Sequence, residues 1–198
     1  TETGPGSSIV PGSCTDPADM TAGSGSFVLA FKLAYTAQRT TTATWDINID
    51  VVDDSAATDA HNTLSFGVNF YLAITVSDAA HTWTGLSPGD TDTALATPGD
   101  FDIDLVFTAN NPFDVQAKSD AALTSGSDTI ALSNLKIHED TLGSATAVTG
   151  SYADIGGLTG ETAPGSSLAK AFKLWLTVPN PQPSGSYSYT LLISGIET

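Results

Sequence analysis

The stretch Phe101-Asp102-Ile103-Asp104-Leu105-Val106-Phe107-Thr108 decides how this chain is read. Large apolar side chains occupy every second position, and Asp102, Asp104 and Thr108 fall between them. A repeat of two is the period at which side chains alternate across a strand, so one face is buried and the other meets water. The strict alternation from Phe101 to Phe107, with Asp102 and Asp104 between, fits this period better than a helical 3.6.

Working outward, the same alternation recurs along the chain. Phe27, Leu29, Phe31, Leu33 and Tyr35 form one stripe, and Trp45, Ile47, Ile49 and Val51 form another. Leu64, Phe66, Val68, Phe70, Leu72, Ile74 and Val76 make a longer one. Phe113, Val115 and Ala117 follow the turn Asn110-Asn111-Pro112. Ile130 and Leu132 are separated from Leu135 and Ile137 by a phase change at Ser133-Asn134. Phe172, Leu174, Leu176 and Val178 precede a last stripe of Tyr187, Tyr189, Leu191 and Ile193. Turn chemistry bounds the runs, as in Ser87-Pro88-Gly89-Asp90, Pro98-Gly99-Asp100 and Pro179-Asn180-Pro181.

Many strands with one buried face each predict an all-β fold with antiparallel pairing. The expected architecture is a two-sheet sandwich of jelly-roll or Greek-key kind, with about eight strands. Residues 1–26 are rich in Gly, Pro, Ser and Thr, and read as a flexible N-terminal arm. Residues 27–198 read as the β-sandwich domain. The span 141–167 is Gly-, Ala- and Thr-rich and reads as a long loop with a short strand around Ala147-Val148.

Charge narrows the partners. The chain carries 22 acidic and 6 basic residues, for a formal net charge of −16. Such an excess repels polyanions, so neither nucleic acid nor an anionic membrane surface is an expected partner. No apolar run is long enough to span a bilayer as a helix. A start at Thr1-Glu2-Thr3 reads as what remains after a leader is removed. Cys14 is the one cysteine, so no internal disulfide is expected, and it reads as a free thiol in the arm. No Asn-x-Ser/Thr acceptor occurs. Charged residues make up only 14% of the chain, which suits an extracellular, cell-surface protein with a surface of Ser, Thr, Asn and Gly.

Catalytic signatures do not emerge. His61, His81 and His138 have no metal-ligand spacing, and there is no Gly-x-Ser-x-Gly elbow or phosphate-cradling loop before a helix. His138-Glu139-Asp140 reads as a polar loop. The chain is expected not to be an enzyme. Calcium is the one cofactor that the composition suggests, because hard cations take clustered oxygen ligands. The candidate ligands are Asp53, Asp54 and Asp59, and Asp90 and Asp92 with Asp100; Asp46/Asp50 and Asp102/Asp104 are outward pairs. The alternative is a solvated acidic face. Trp45 reads as a packing residue, whereas Trp83, in a loop, and Trp175, on the alternate face of its strand, are candidates for stacking on sugars or anchoring an interface, with inter-sheet packing the other reading for Trp175.

Two elements carry a family resemblance. Gly85-Leu86-Ser87-Pro88-Gly89-Asp90 leads to the Phe101–Thr108 strand, and Val178-Pro179 precedes Pro183-Ser184-Gly185-Ser186-Tyr187-Ser188-Tyr189-Thr190 and Leu191-Leu192-Ile193. Together they resemble the camelysin/TasA-like biofilm fibre proteins and the related archaeal bundling pili. The resemblance implies an extracellular filament assembled by donor-strand complementation, in which an extended segment completes a neighbour's sheet. The segments able to donate are the arm, through Ile9 and Val10, or the stripe with Phe27, Leu29, Phe31 and Leu33. A homopolymer of this subunit is then the expected partner. The other functional readings are a calcium-assisted carbohydrate-binding or adhesion module contacting surface glycans, and a viral jelly-roll structural protein.

Overall fold

The computed structural model describes residues 7–8, 14–15, 28–29, 32–33, 45–52, 58–97, 99–162 and 167–198. Among the described residues strand is the prevailing structure, and all strand pairs are antiparallel. Its only helical elements among the described residues are single 3-10 turns at Leu132–Asn134 and Leu142–Ser144. No helix there is long and apolar enough to cross a membrane. The chain divides into two compact units, Thr1–Tyr71 and Leu72–Thr198. The expected arm boundary after residue 26 lies outside the described residues.

Among the described residues, the first unit has three two-stranded ladders. β1 (Ser7–Ser8) pairs with β4 (Lys32–Leu33), and β2 (Cys14–Thr15) pairs with β3 (Val28–Leu29). These ladders set Ser7 opposite Leu33 and Cys14 opposite Leu29. β5 (Trp45–Val52) and β6 (Thr58–Phe66) form the longest ladder of the unit, with a register shift between Ile47 and Ile49.

The second unit has two principal sheets and a hairpin. Its strands are β7 (Leu72–Val76), β8 (Thr93–Ala94), β9 (Ile103–Ala109), β10 (Phe113–Ser119), β11 (Leu123–Ser125), β12 (Asp128–Ile130), β13 (Leu135–His138), β14 (Thr146–Ala147), β15 (Ala153–Asp154), β16 (Leu168–Leu176) and β17 (Leu191–Glu197). The larger sheet runs β14-β13-β16-β9-β7, with β8 also on β16, and the smaller runs β15-β10-β17. β11 and β12 pair across Gly126, whose φ of 61° is the left-handed turn conformation that glycine adopts without cost.

The alternation that decides the fold is visible as burial. Ile103, Leu105, Phe107 and Ala109 of β9 are buried, and so are Phe113, Val115 and Ala117 of β10. The turn at Asn110-Asn111-Pro112 carries the chain from the larger sheet to the smaller, and brings the Phe107 and Phe113 rings to 5.1 Å between centroids. Phe172, Leu174 and Leu176 of β16, Leu135 and Ile137 of β13, and Leu123 and Ile130 of the hairpin complete this core.

Three stripes end differently from the sequence expectation. The run from Leu64 to Val76 is broken after Phe66, and resumes as β7 only at Leu72, with Gly67 and Asn69 in the break. Phe101 is not a strand residue. It sits after the turn at Gly99-Asp100 with φ of 68° and is 49% exposed, so the buried face begins at Ile103. Tyr187 and Tyr189 lie in a loop, and β17 starts at Leu191. Within the span 141–167, β14 falls at the short strand expected around Ala147-Val148, β15 is additional, and Val148, Ile155 and Leu158 are buried.

Candidate binding groove

The second unit holds a groove of about 760 Å³, walled by the segment after β7, the β11–β12 hairpin, the end of β16 and the loop before β17. Backbone bonds fix these walls. The Thr82 N–H donates to the Thr97 carbonyl, and the N–H groups of Ala96 and Thr97 donate back to the Thr82 carbonyl. Gly89 N–H donates to the Val178 carbonyl and Val178 N–H to that of Asp90, which ties the Ser87-Pro88-Gly89-Asp90 turn to the end of β16. Thr124 and Ser188 exchange both N–H···O bonds, which holds the loop before β17 against the hairpin. The Asn180-Pro181 bond in this loop is cis.

Aromatic side chains line the groove, and their polar ends are already bonded. Trp83 Nε1 donates to the Thr93 carbonyl at 2.9 Å. The Tyr187 hydroxyl accepts from Gln182 Nε2 at 2.6 Å and donates to the Pro183 carbonyl at 2.8 Å. His81 bonds the Ala79 backbone, and its Nε2 lies 2.7 Å from the Tyr189 hydroxyl. The direction of this bond follows the His81 tautomer: a ring protonated on its other nitrogen accepts from the Tyr189 hydroxyl. Burial lowers the His81 pKa below 6.5, and the Ala79 bond partly opposes that shift. Burial also pushes the Tyr189 phenol well above its ordinary value, so both groups are neutral around pH 7. The three rings meet at angles: His81 is edge-on to both others, and Trp83 and Tyr189 are tilted by 36° with centroids 6.3 Å apart.

The expected calcium ligands are placed as follows. Asp53 and Asp54 lie outside the described residues, and Asp59 is a β6 residue opposite Val51. Asp90 Oδ2 accepts the Ser87 N–H at 2.7 Å, closing its own turn. Asp92 is paired with Lys136 at 2.9 Å and accepts from the Thr177 hydroxyl at 3.2 Å. Asp100 accepts the Asp102 N–H at 3.4 Å. Among the described residues, no group of three or more His, Cys, Asp or Glu is arranged to hold a metal ion. Desolvation, followed by the charges of Asp78, Asp100 and Asp102, raises the pKa of Asp104 on the outer face of β9.

Of the expected assembly residues, Leu29 and Leu33 are in the short ladders with the arm, while Ile9, Val10, Phe27 and Phe31 lie outside the described residues. Trp83 is half-buried in the groove, and Trp175 is 7% exposed, with Lys136 and Ala94 as its cross-strand neighbours. His138 Nδ1 accepts the Asp140 and Thr141 N–H groups, and Glu139 pairs with Lys170, so this cluster is a bonded turn. Sequence reasoning missed His81, Gln182, Tyr187 and Tyr189 as groove residues. The available signal was the pair of prolines at 181 and 183 with Gly185, which end strand geometry before the tyrosines.

Among the described residues, two strand edges have no second partner strand: that of β7 on the side away from β9, and that of β17 on the side away from β10. They lie beside one another, with the Leu72 side chain of β7 against Gly195 of β17. The Thr198 N–H bonds the Pro112 carbonyl, so antiparallel alternation turns Leu192, Ser194 and Ile196 toward β10. Leu191, Ile193 and Gly195 then present their N–H groups outward.

No protein-family model, curated protein or solved structure matches this chain.

Proposed function

We propose that this chain is a structural subunit of an extracellular, pilus-like filament of the biofilm type, and that subunits join by adding a strand at the β17 edge. The second unit, on this reading, closes as a two-sheet sandwich of jelly-roll or Greek-key kind. The observation that carries the proposal is the edge itself: apolar at Leu191, Leu192, Ile193 and Ile196, partly accessible from Leu191 to Gly195, 50% exposed at Ile196, and with no second strand paired to it among the described residues. An unpaired apolar edge is a template for another strand unless it is blocked.

The donor is the arm or the stripe it pairs with. In this structure the two are joined within the chain, through Ser7 with Leu33 and Cys14 with Leu29. Ladders of two residues are short, so exchanging them for a longer intermolecular pairing costs little. The resemblance to the camelysin/TasA-like fibre proteins points the same way. Net charge sets a condition: subunits at −16 repel, so assembly requires screening or a cation between them.

The test is polymer formation by the full chain. Filaments visible by negative-stain microscopy, and lost on removal of residues 1–33, are expected. A strictly monomeric full chain at high concentration in salt and calcium would refute the proposal.

A further inference from the structure

We propose that the groove between Trp83 and the loop before β17 is a binding site for a neutral saccharide, held without calcium. Charge is the first reason. In a chain of net charge −16, none of the described residues lining this groove is Asp, Glu, Lys or Arg. An ionised ligand would lose hydration there without gaining a counter-charge. Size is the second: about 760 Å³ falls in the range of small-molecule sites.

The division of polar and apolar groups is the third reason. Trp83 has spent its single donor on Thr93, and the Tyr187 hydroxyl is bonded on both sides by Gln182 and Pro183. His81 and Tyr189 satisfy one another. These rings are therefore held in place by their polar ends and offer a ligand mainly ring surface. The lining also includes the polar side chains of Gln182, Ser184, Ser186 and Ser188, on the same loop as Tyr187 and Tyr189. A purely apolar ligand would strip water from these groups without replacing it. A sugar ring has an apolar C–H face for the aromatic wall and a rim of hydroxyls for the serines and the carboxamide.

The site differs from the calcium-assisted one expected from sequence. Two of the carboxylates expected to bind calcium are committed elsewhere, Asp90 to Ser87 and Asp92 to Lys136.

The experiment is calorimetric titration of the full chain with neutral trisaccharides of glucose, N-acetylglucosamine, mannose and galactose, each in turn, with and without EDTA. At least one is expected to bind saturably, with an affinity unchanged by EDTA or salt. Trp83→Ala should weaken it about tenfold or more, the loss of one aromatic platform, while Trp83→Phe keeps most of it. Circular dichroism of both variants confirms that the fold is intact. The proposal is overturned if no trisaccharide binds at millimolar concentration, if binding needs calcium, or if it survives Trp83→Ala. It is equally overturned if an oligoproline peptide saturates the groove and the sugars do not.

Discussion

Phe107 and Phe101 are the same residue type in one alternating stripe, yet they carry opposite loads. Phe107 is fully buried against Phe113, so Phe107→Ala should destabilise by about 3–5 kcal/mol in denaturant titration. Phe101 is half-exposed and held at φ of 68°, where a bulky side chain is strained. Phe101→Gly trades lost contact for relieved strain and should stay within about 1 kcal/mol of the parent. Sequence shows the alternation but not where a turn interrupts it. Backbone conformation at the Gly99-Asp100 turn, not hydrophobicity, separates the two phenylalanines. His81 adds a pH dependence of known sign. Its folded pKa lies below the ordinary 6.5, so its contribution to stability is complete above pH 6.5 and is lost as pH falls through the lowered value. The melting temperature of the parent should therefore fall relative to that of His81→Phe as pH drops below 6.5.

At the scale of elements, the two faces of a strand respond to different forces. Asp104 projects from the outer face of β9, among Asp78, Asp100 and Asp102, and its pKa is raised. A raised carboxyl pKa contributes stability that is present below 3.8 and lost as pH rises through the folded value. Asp104→Asn should raise the melting temperature at neutral pH, and the gain should shrink in high salt and vanish below 3.8. On β17 the distinction is between edges. Leu192→Pro removes a ladder bond to β10 and should cost about 1–3 kcal/mol, beyond its side-chain loss. Ile193→Pro removes an outward N–H, so the domain should remain folded while losing the capacity to polymerise. Buried faces were legible in sequence because a period of two marks them directly, as in β9, β10 and β16. The edge was not, since Leu191 and Ile193 read as one stripe whether or not β17 has a second neighbour. Trp83 was visible as a loop aromatic, but its partners His81 and Tyr189 are 108 positions apart and meet only through the fold.

For the whole molecule, the excess of carboxylates governs association more than folding. Each lysine whose side chain is described is already engaged: Lys118 with Asp120, Lys136 with Asp92, Lys170 with Glu139 and Glu161, and Lys173 with Asp102. The remaining carboxylates leave the −16 surface to repel its own copies. The concentration at which polymers form should accordingly fall as ionic strength rises, as measured by sedimentation. The most direct test of the account is backbone amide exchange at Leu191, Ile193 and Gly195, compared between dispersed chain and polymer. A partner strand on β17 predicts strong slowing at these amides in the polymer, with little change at Leu192 and Ser194, which already face β10. Equal exchange at the outward amides in both states, with protection gained elsewhere, would contradict strand addition at this edge.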